Sequence, residues 1–108
     1  MKILIDKNKI NIKKCVNFKN RLKGLMFEKK QLNYGLCFPK CNSIHTFFML
    51  QNINVIMTDK NFKVIKIYKN LKPFKIVLSK KNIYYTFEFT LNIDLKNIKE
   101  NDFLKIEN

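Results

Sequence analysis

Ile83-Tyr84-Tyr85-Thr86-Phe87-Glu88-Phe89-Thr90-Leu91 is the stretch that decides the fold. Ile83, Tyr85, Phe87, Phe89 and Leu91 alternate with Tyr84, Thr86, Glu88 and Thr90 in strict period two, the spacing at which a strand sends side chains to opposite faces. The first set is expected to face the core, while Thr86 and Glu88 face away from it. A slip of one residue would invert every side chain, so the pattern also fixes the register.

The same signal recurs on either side. Lys2–Ile5 and Lys9–Lys13 read as opening strands around the turn residues Asp6-Lys7-Asn8. Tyr34–Phe38, Ile44–Leu50 and Ile53–Thr58 are rich in apolar and β-branched residues. Asp59-Lys60-Asn61 then turns into Phe62–Tyr68. One segment breaks the rhythm. Asn17-Phe18-Lys19-Asn20-Arg21-Leu22-Lys23-Gly24 predicts a short helix, with Asn17 as its cap, Phe18 and Leu22 on one face, and Gly24 as a left-handed exit. Ile93–Ile98 predicts a turn or short helix, and Phe103, Leu104 and Ile106 a closing strand. The expected fold is mainly β: a compact, chiefly antiparallel sandwich or barrel with one short helix.

Length and composition agree with one domain over residues 1–108. A chain of 108 residues with 46% apolar content can bury a core, and two Gly and two Pro exclude collagen-like and linker-like classes. The longest dense apolar piece, Phe47-Phe48-Met49-Leu50, is too short to span a bilayer. Met1-Lys2-Ile3-Leu4-Ile5-Asp6 turns polar before a signal-peptide apolar region develops, so a soluble, cytoplasmic protein is expected. Phe47, Phe48, Met49 and Met57 are expected in the core.

The formal charge of +14 would on its own suggest nucleic acid or an anionic surface. The residues behind it argue for a different cause. There are 21 Lys, 15 Asn, 14 Ile and 10 Phe against one Arg and no Ala, the signature of AT-rich codons rather than of a phosphate-binding site, which favours the planar fork of Arg. Lysines run through every predicted element, with no run longer than two. A specific nucleic-acid partner is therefore not expected, and a Lys-rich binder of nucleic acid or anionic surfaces stands as the alternative. Three cysteines, Cys15, Cys37 and Cys41, cannot form a complete disulfide set and are read as free thiols.

Six elements in order resemble a known family. Arg21 with Gly24-Leu25-Met26, then Gly35-Leu36-Cys37-Phe38, then Cys41-Asn42-Ser43-Ile44-His45-Thr46-Phe47-Phe48-Met49 match its GLM triplet, its glycine-aliphatic-phenylalanine strand and its HT-x-x-M segment. Ile53-Asn54-Val55 followed by Asp59, Leu71-Lys72-Pro73, Phe87-Glu88-Phe89 and Asn101-Asp102 match the later marks. On these residues the chain resembles the bacterial and archaeal domain of unknown function 192 family from about residue 10 to 106. The resemblance implies a β-sandwich-like domain and carries no reaction with it. Asn54 replaces the Asp of the family's I-D-V, Leu50 replaces a basic residue, and Asn92 and Asn101 replace glycines. An Asp–Arg pair in relatives would thus have lost both partners here.

Candidate chemistry centres on the matched polar positions. His45 is the only histidine, the side chain that titrates nearest neutral pH. Cys41 lies four residues before it, about 13 Å away if the segment is extended, so only a tight turn at Asn42-Ser43 would bring thiol and imidazole together. Cys37, Cys41 and His45 at intervals of four invite a zinc site, but the second ligand pair of such sites is lacking, and no metal or other cofactor is expected. Glu88 reads as a solvated charge or a member of a polar cleft. The leading expectation is a small ligand-binding or accessory module with a polar cleft formed by Cys41, His45, Thr46, Asn54 and Glu88. Its partner would be a small ligand or a protein. The weaker alternative is an enzyme using His45 and Glu88 as acid and base.

Overall fold

A computed structural model describes residues 1–77 and 81–108, excepting the side chains of Phe18 and Leu22. The strands are β1 Lys2–Ile5, β2 Asn8–Lys14, β3 Tyr34–Pro39, β4 Ile44–His45, β5 Ile53–Thr58, β6 Val64–Leu71, β7 Ile76–Val77, β8 Tyr85–Thr90 and β9 Lys105–Glu107; the helix α1 is Phe18–Lys23. Seven strands form one sheet in the order β6-β5-β8-β3-β2-β1-β9, and β4 pairs with β7 separately. The pairings are antiparallel except β2–β3, which is parallel. A parallel neighbour needs a long crossover, and α1 is carried on it.

The sheet curls until its edges meet. Lys63 bridges to Phe103, and the backbone N–H groups of Val64, Asn101 and Leu104 donate to Asp102, Val64 and Phe62 respectively. Bonding β6 to the approach of β9 closes one end of a barrel and covers polar edges that would otherwise recruit another strand. The barrel interior is filled by Ile3, Ile5, Ile12, Cys37, Ile56, Val64, Phe87, Phe89, Leu95 and Leu104. Leu95 comes from the predicted turn segment after β8 and plugs the interior. Gly35 gives Phe89 its place there: a Cβ on residue 35 would lie 2.5 Å from the ring.

A second core lies on the outer face of β3, β8 and β5. Cys15, Leu25, Leu36, Phe38, Met49, Ile53, Val55, Met57 and Val77 pack between that face and a cover made of α1, the turn after it, and the β4–β7 pair. Thus β8 is buried on both sides, which corrects the one-sided reading of its alternation. Thr86, Glu88 and Thr90 are as buried as Phe87 and Phe89. Alternation assumes that the polar face meets water; a central strand with a layer on each side breaks that assumption. The ends depart as well. Ile83 packs against the outer cluster, and Leu91, past the end of β8, is 43% exposed.

The helix and the β5–β6 turn follow their local chemistry. Asn17 Oδ1 accepts from the Asn20 N–H at 2.8 Å, and Gly24 ends α1 at φ +48°; the predicted Phe18–Leu22 face lies outside the described side chains. Asp59 Oδ1 accepts from the N–H groups of Asn61 and Lys63. The expected Ile44–Leu50 strand stops at His45, because Thr46 to Met49 turns back on itself, with the Met49 N–H on the Thr46 carbonyl. That turn puts Met49 in the outer core but leaves Phe48 55% exposed and Phe47 at the surface, against the expectation of burial. Asn101 is left-handed (φ 75°). No described helix is long and apolar enough to cross a membrane.

Candidate functional site

Glu88 is the acid around which the outer layer is built. Its register partners are Leu36 on β3 and Val55 on β5, so its side chain leaves the sheet on the outer face. The turn Gly24-Leu25-Met26 lies directly over it. A Cβ on residue 24 would stand 3.2 Å from Glu88 Oε1 and 3.3 Å from the Phe38 ring, at a φ that side chains disfavour. Glycine therefore lets the turn close onto the carboxyl.

The enclosure controls the charge. Glu88 is 4% exposed, and burial pushes its carboxyl up to about 7, with the Leu25 backbone N–H pulling the other way. Among the described residues, its buried Oε1 has no hydrogen-bond partner. A buried polar atom without a protein partner is costly and calls for one, whether a water or another bound group. The neighbouring threonines differ: Thr86 Oγ1 donates to the Cys41 carbonyl at 2.8 Å, and Thr90 Oγ1 accepts from the Leu32 N–H at 3.0 Å.

Beside Glu88 is a cavity of about 110 Å³ whose wall includes Arg21, Lys23, Gly24, Cys41, His45 and Glu88, with Met26, Phe47 and Met49 supplying apolar surface. Three of the five sequence-predicted site residues, Cys41, His45 and Glu88, thus line one space. Cys41 is half-buried, its thiol donating to the Ser43 carbonyl at 3.3 Å. His45 is exposed and stacks on Phe47 at 5.2 Å between centroids. Thr46 plays another part: fully buried, its hydroxyl donates to the Lys72 carbonyl at 2.7 Å and accepts from the Lys75 N–H at 2.8 Å, tying this turn to the one before β7. Asn54 lies elsewhere. It is the register partner of Phe89, on the sheet face opposite Glu88, and its Oδ1 accepts from the Asn70 N–H.

Arg21, Lys23 and Gly24 are wall residues that the sequence places in the helix and its exit, Arg21 and Gly24 also in the family's GLM element, without marking them for the site. Arg21 donates to the carbonyls of Pro39 and Lys40, stapling the last turn of α1 to the end of β3. The signal for it was at hand: Arg21 is the single arginine, placed three residues before the GLM triplet.

Nothing gathers the thiols into a metal centre. Cys37 is inside the barrel, where burial pushes its thiol up to about 12, while Cys15 and Cys41 belong to the outer layer. Among the described residues no three His, Cys, Asp or Glu side chains meet where an ion could be held. A larger depression of about 400 Å³ runs along Leu4–Asp6, Lys96–Ile98 and Asp102–Lys105. Its charged residues are solvated or satisfied, as with Asp102 accepting from the Lys99 N–H. It therefore offers no unmet polar group of the kind Glu88 presents. Exposed lysines occur on β1, β2, α1, the Asp59–Asn61 turn and the C-terminal segment.

Comparison with known proteins agrees with this architecture. The model of the domain of unknown function 192 family, described as an uncharacterised ACR, matches residues 1–106. A UPF0127 protein of Pyrococcus horikoshii is 46% identical over 55 residues, a stretch that spans 45% of this chain and 46% of that relative. Two crystal structures share the fold at 14% identity. One, a Sinorhizobium meliloti protein described as a "putative transcription regulator", superposes with a TM-score of 0.79 over 96% of this chain and 89% of its own. The other, a protein of unknown function from Novosphingobium aromaticivorans, gives 0.68 over 82% and 70%.

Proposed function

The chain belongs to the domain of unknown function 192 family, and we propose that it acts as a small binding module whose site is the cavity over Glu88. The observation that carries this reading is the enclosed Glu88 carboxyl, one oxygen of which has no hydrogen-bond partner among the described residues, on a residue that lines a cavity with Arg21, Cys41 and His45. At about 110 Å³ the cavity accepts a group of a few heavy atoms, well below the roughly 300 Å³ where sites for larger ligands begin. A carboxyl poised near 7 both donates and accepts, so it suits a compact neutral group that does the same, such as a primary amide or an alcohol. Apolar surface from Met26, Phe47 and Met49 would hold the ligand's carbon side. His45 and Cys41 stand at the wall as further polar contacts. The imidazole's contact is the Phe47 ring; no hydrogen bond among the described residues joins it to Glu88 or Cys41 to make an acid–base pair.

The test is a titration of small amides and alcohols followed by backbone amide NMR. The expected result is a set of shifts confined to Gly24–Met26, Cys41–His45 and Glu88, absent in a folded Glu88→Leu variant. Shifts that persist in that variant, or that map to the Leu4–Lys105 depression, would overturn the reading.

A further inference from the structure

Three phenylalanines occupy turn positions that call for glycine. Phe27 (φ 64°), Phe48 (φ 62°) and Phe74 (φ 63°) are all left-handed, a conformation in which a bulky residue is strained. Phe27 and Phe48 are each the third residue of a hydrogen-bonded tight turn. The Glu28 N–H donates to the Leu25 carbonyl around Phe27, and the Met49 N–H to the Thr46 carbonyl around Phe48. Phe74 follows Pro73, the order of a turn whose third position favours glycine. Burial does not compensate, since the three are 61%, 55% and 71% exposed.

The other left-handed positions outside the phenylalanines carry polar side chains: Asn70, Asn82 and Asn101, the residue type that tolerates this backbone best, and Asp6, Lys40 and Lys96. Phe62 is also left-handed, but it is half-buried and stacks on Tyr85. Only at 27, 48 and 74 is a strained phenylalanine turned outward.

Two of the tips touch, and the third stands on a segment bonded to the same turn. Phe27 and Phe48 are 5.7 Å apart between ring centroids, and the Phe27 N–H donates to the Phe48 carbonyl. The Phe74 N–H donates to the Thr46 carbonyl at the base of the Phe48 turn. Leu50 and Ile76, both exposed, adjoin them along the chain. The segments 23–30, 45–51 and 72–76 that build this surface hold Lys23, Lys29, Lys30, Lys72 and Lys75, all exposed, against a single acid, Glu28.

We infer that this surface docks on an anionic lipid bilayer, the phenylalanine tips entering the interface and the lysines meeting the headgroups. Apolar tips ringed by cations are the pattern of proteins that lie on such membranes, where each lysine near the surface adds attraction and the aromatic rings take the headgroup boundary. A second copy of the chain is a poor occupant, because it would bring +14 against +14 and lysines against lysines. An acidic peptide would want a groove, whereas the apolar groups here are the tips of turns. The inference does not depend on the Glu88 cavity.

Flotation of the whole chain with vesicles tests it. Vesicles of phosphatidylcholine with about one-third phosphatidylserine should carry the protein, and pure phosphatidylcholine should carry it at least about tenfold less. Phe48→Gly should weaken binding by about fivefold, the loss of one partly inserted ring. The triple replacement of Phe27, Phe48 and Phe74 by glycine should abolish it. The same triple variant should melt at a higher temperature, since glycine relieves the left-handed strain, so a loss of binding cannot be laid to misfolding. In a Phe48→Trp variant, emission should shift to the blue on adding anionic vesicles. Vesicle binding that is absent, or unchanged in the triple variant, or exceeded by binding to an acidic peptide or DNA at equal salt, would overturn the inference.

Discussion

The two faces of β8 solve the burial of one strand in opposite ways. Inward, Tyr85 stacks on Phe62 and Phe87 on Phe89 in an interior of apolar side chains. Outward, Thr86, Glu88 and Thr90 are equally sealed from water, and each must find hydrogen bonds within the cover. The two threonines do, and the Glu88 carboxyl does in part, through the Leu25 N–H. The inner face is held by area and fit, which tolerate no vacancy; the outer face is held by directed bonds and leaves one oxygen over. Stability is concentrated on the first face and opportunity for binding on the second.

Breaking the inner face should have the largest effect. Phe87→Ala opens a hole in the barrel that its closed wall cannot collapse, and should cost about 3–5 kcal/mol in chemical denaturation. If the loss is below about 1 kcal/mol, the interior is not packed as described.

Changing the outer face at Glu88 should be next in size and opposite in sign at neutral and higher pH. The folded carboxyl titrates near 7 instead of 4.5, so the folded state binds the extra proton between these values. Stability is then highest below pH 4.5, falls as pH rises to 7, and stays low above it, by about 3 kcal/mol in all. Glu88→Gln should flatten that slope and leave a protein more stable than the parent at pH 8. Denaturation midpoints that rise between pH 5 and 7 in the parent would contradict the burial of the charge.

The smallest change sharpens the contrast within the outer face. Thr86→Val keeps the shape and removes the donor to the Cys41 carbonyl, and should cost about 1 kcal/mol. It should also shift the Cys41 and His45 amide resonances, because that bond fixes the segment entering the cavity wall. Resonances that stay in place would detach Thr86 from the site.

The strands were legible wherever period two or a β-branched run coincided with a turn. Lys2–Ile5, Ile53–Thr58 and the Asn17 cap emerge from local chemistry alone. What could not be read was the second layer. Nothing local to Thr86-Phe87-Glu88 reveals that the Gly24–Met26 turn covers the threonine and glutamate side, so the sequence leaves Glu88 open between a solvated charge and a member of a polar cleft. The same gap sent Phe47 and Phe48 to the core: their apolar character was plain, but the reversal at Thr46–Met49 rests on bonds from Lys72 and Lys75 that reside in another segment. Asn54 shows the converse. Family order placed it with His45 and Glu88, while strand register puts it on the other side of the sheet.

The position of β8 has a consequence for synthesis. It is the eighth strand to leave the ribosome and yet lies between β5 and β3, joining the two halves of the sheet. At about 5–20 residues per second, the β1–β2 and β5–β6 hairpins wait seconds with apolar edges open before their common neighbour arrives. Glu88 travels on that late strand, so its carboxyl leaves water only in the joining step. Between pH 4.5 and about 7 that step takes up a proton, and refolding should slow as pH rises through this range.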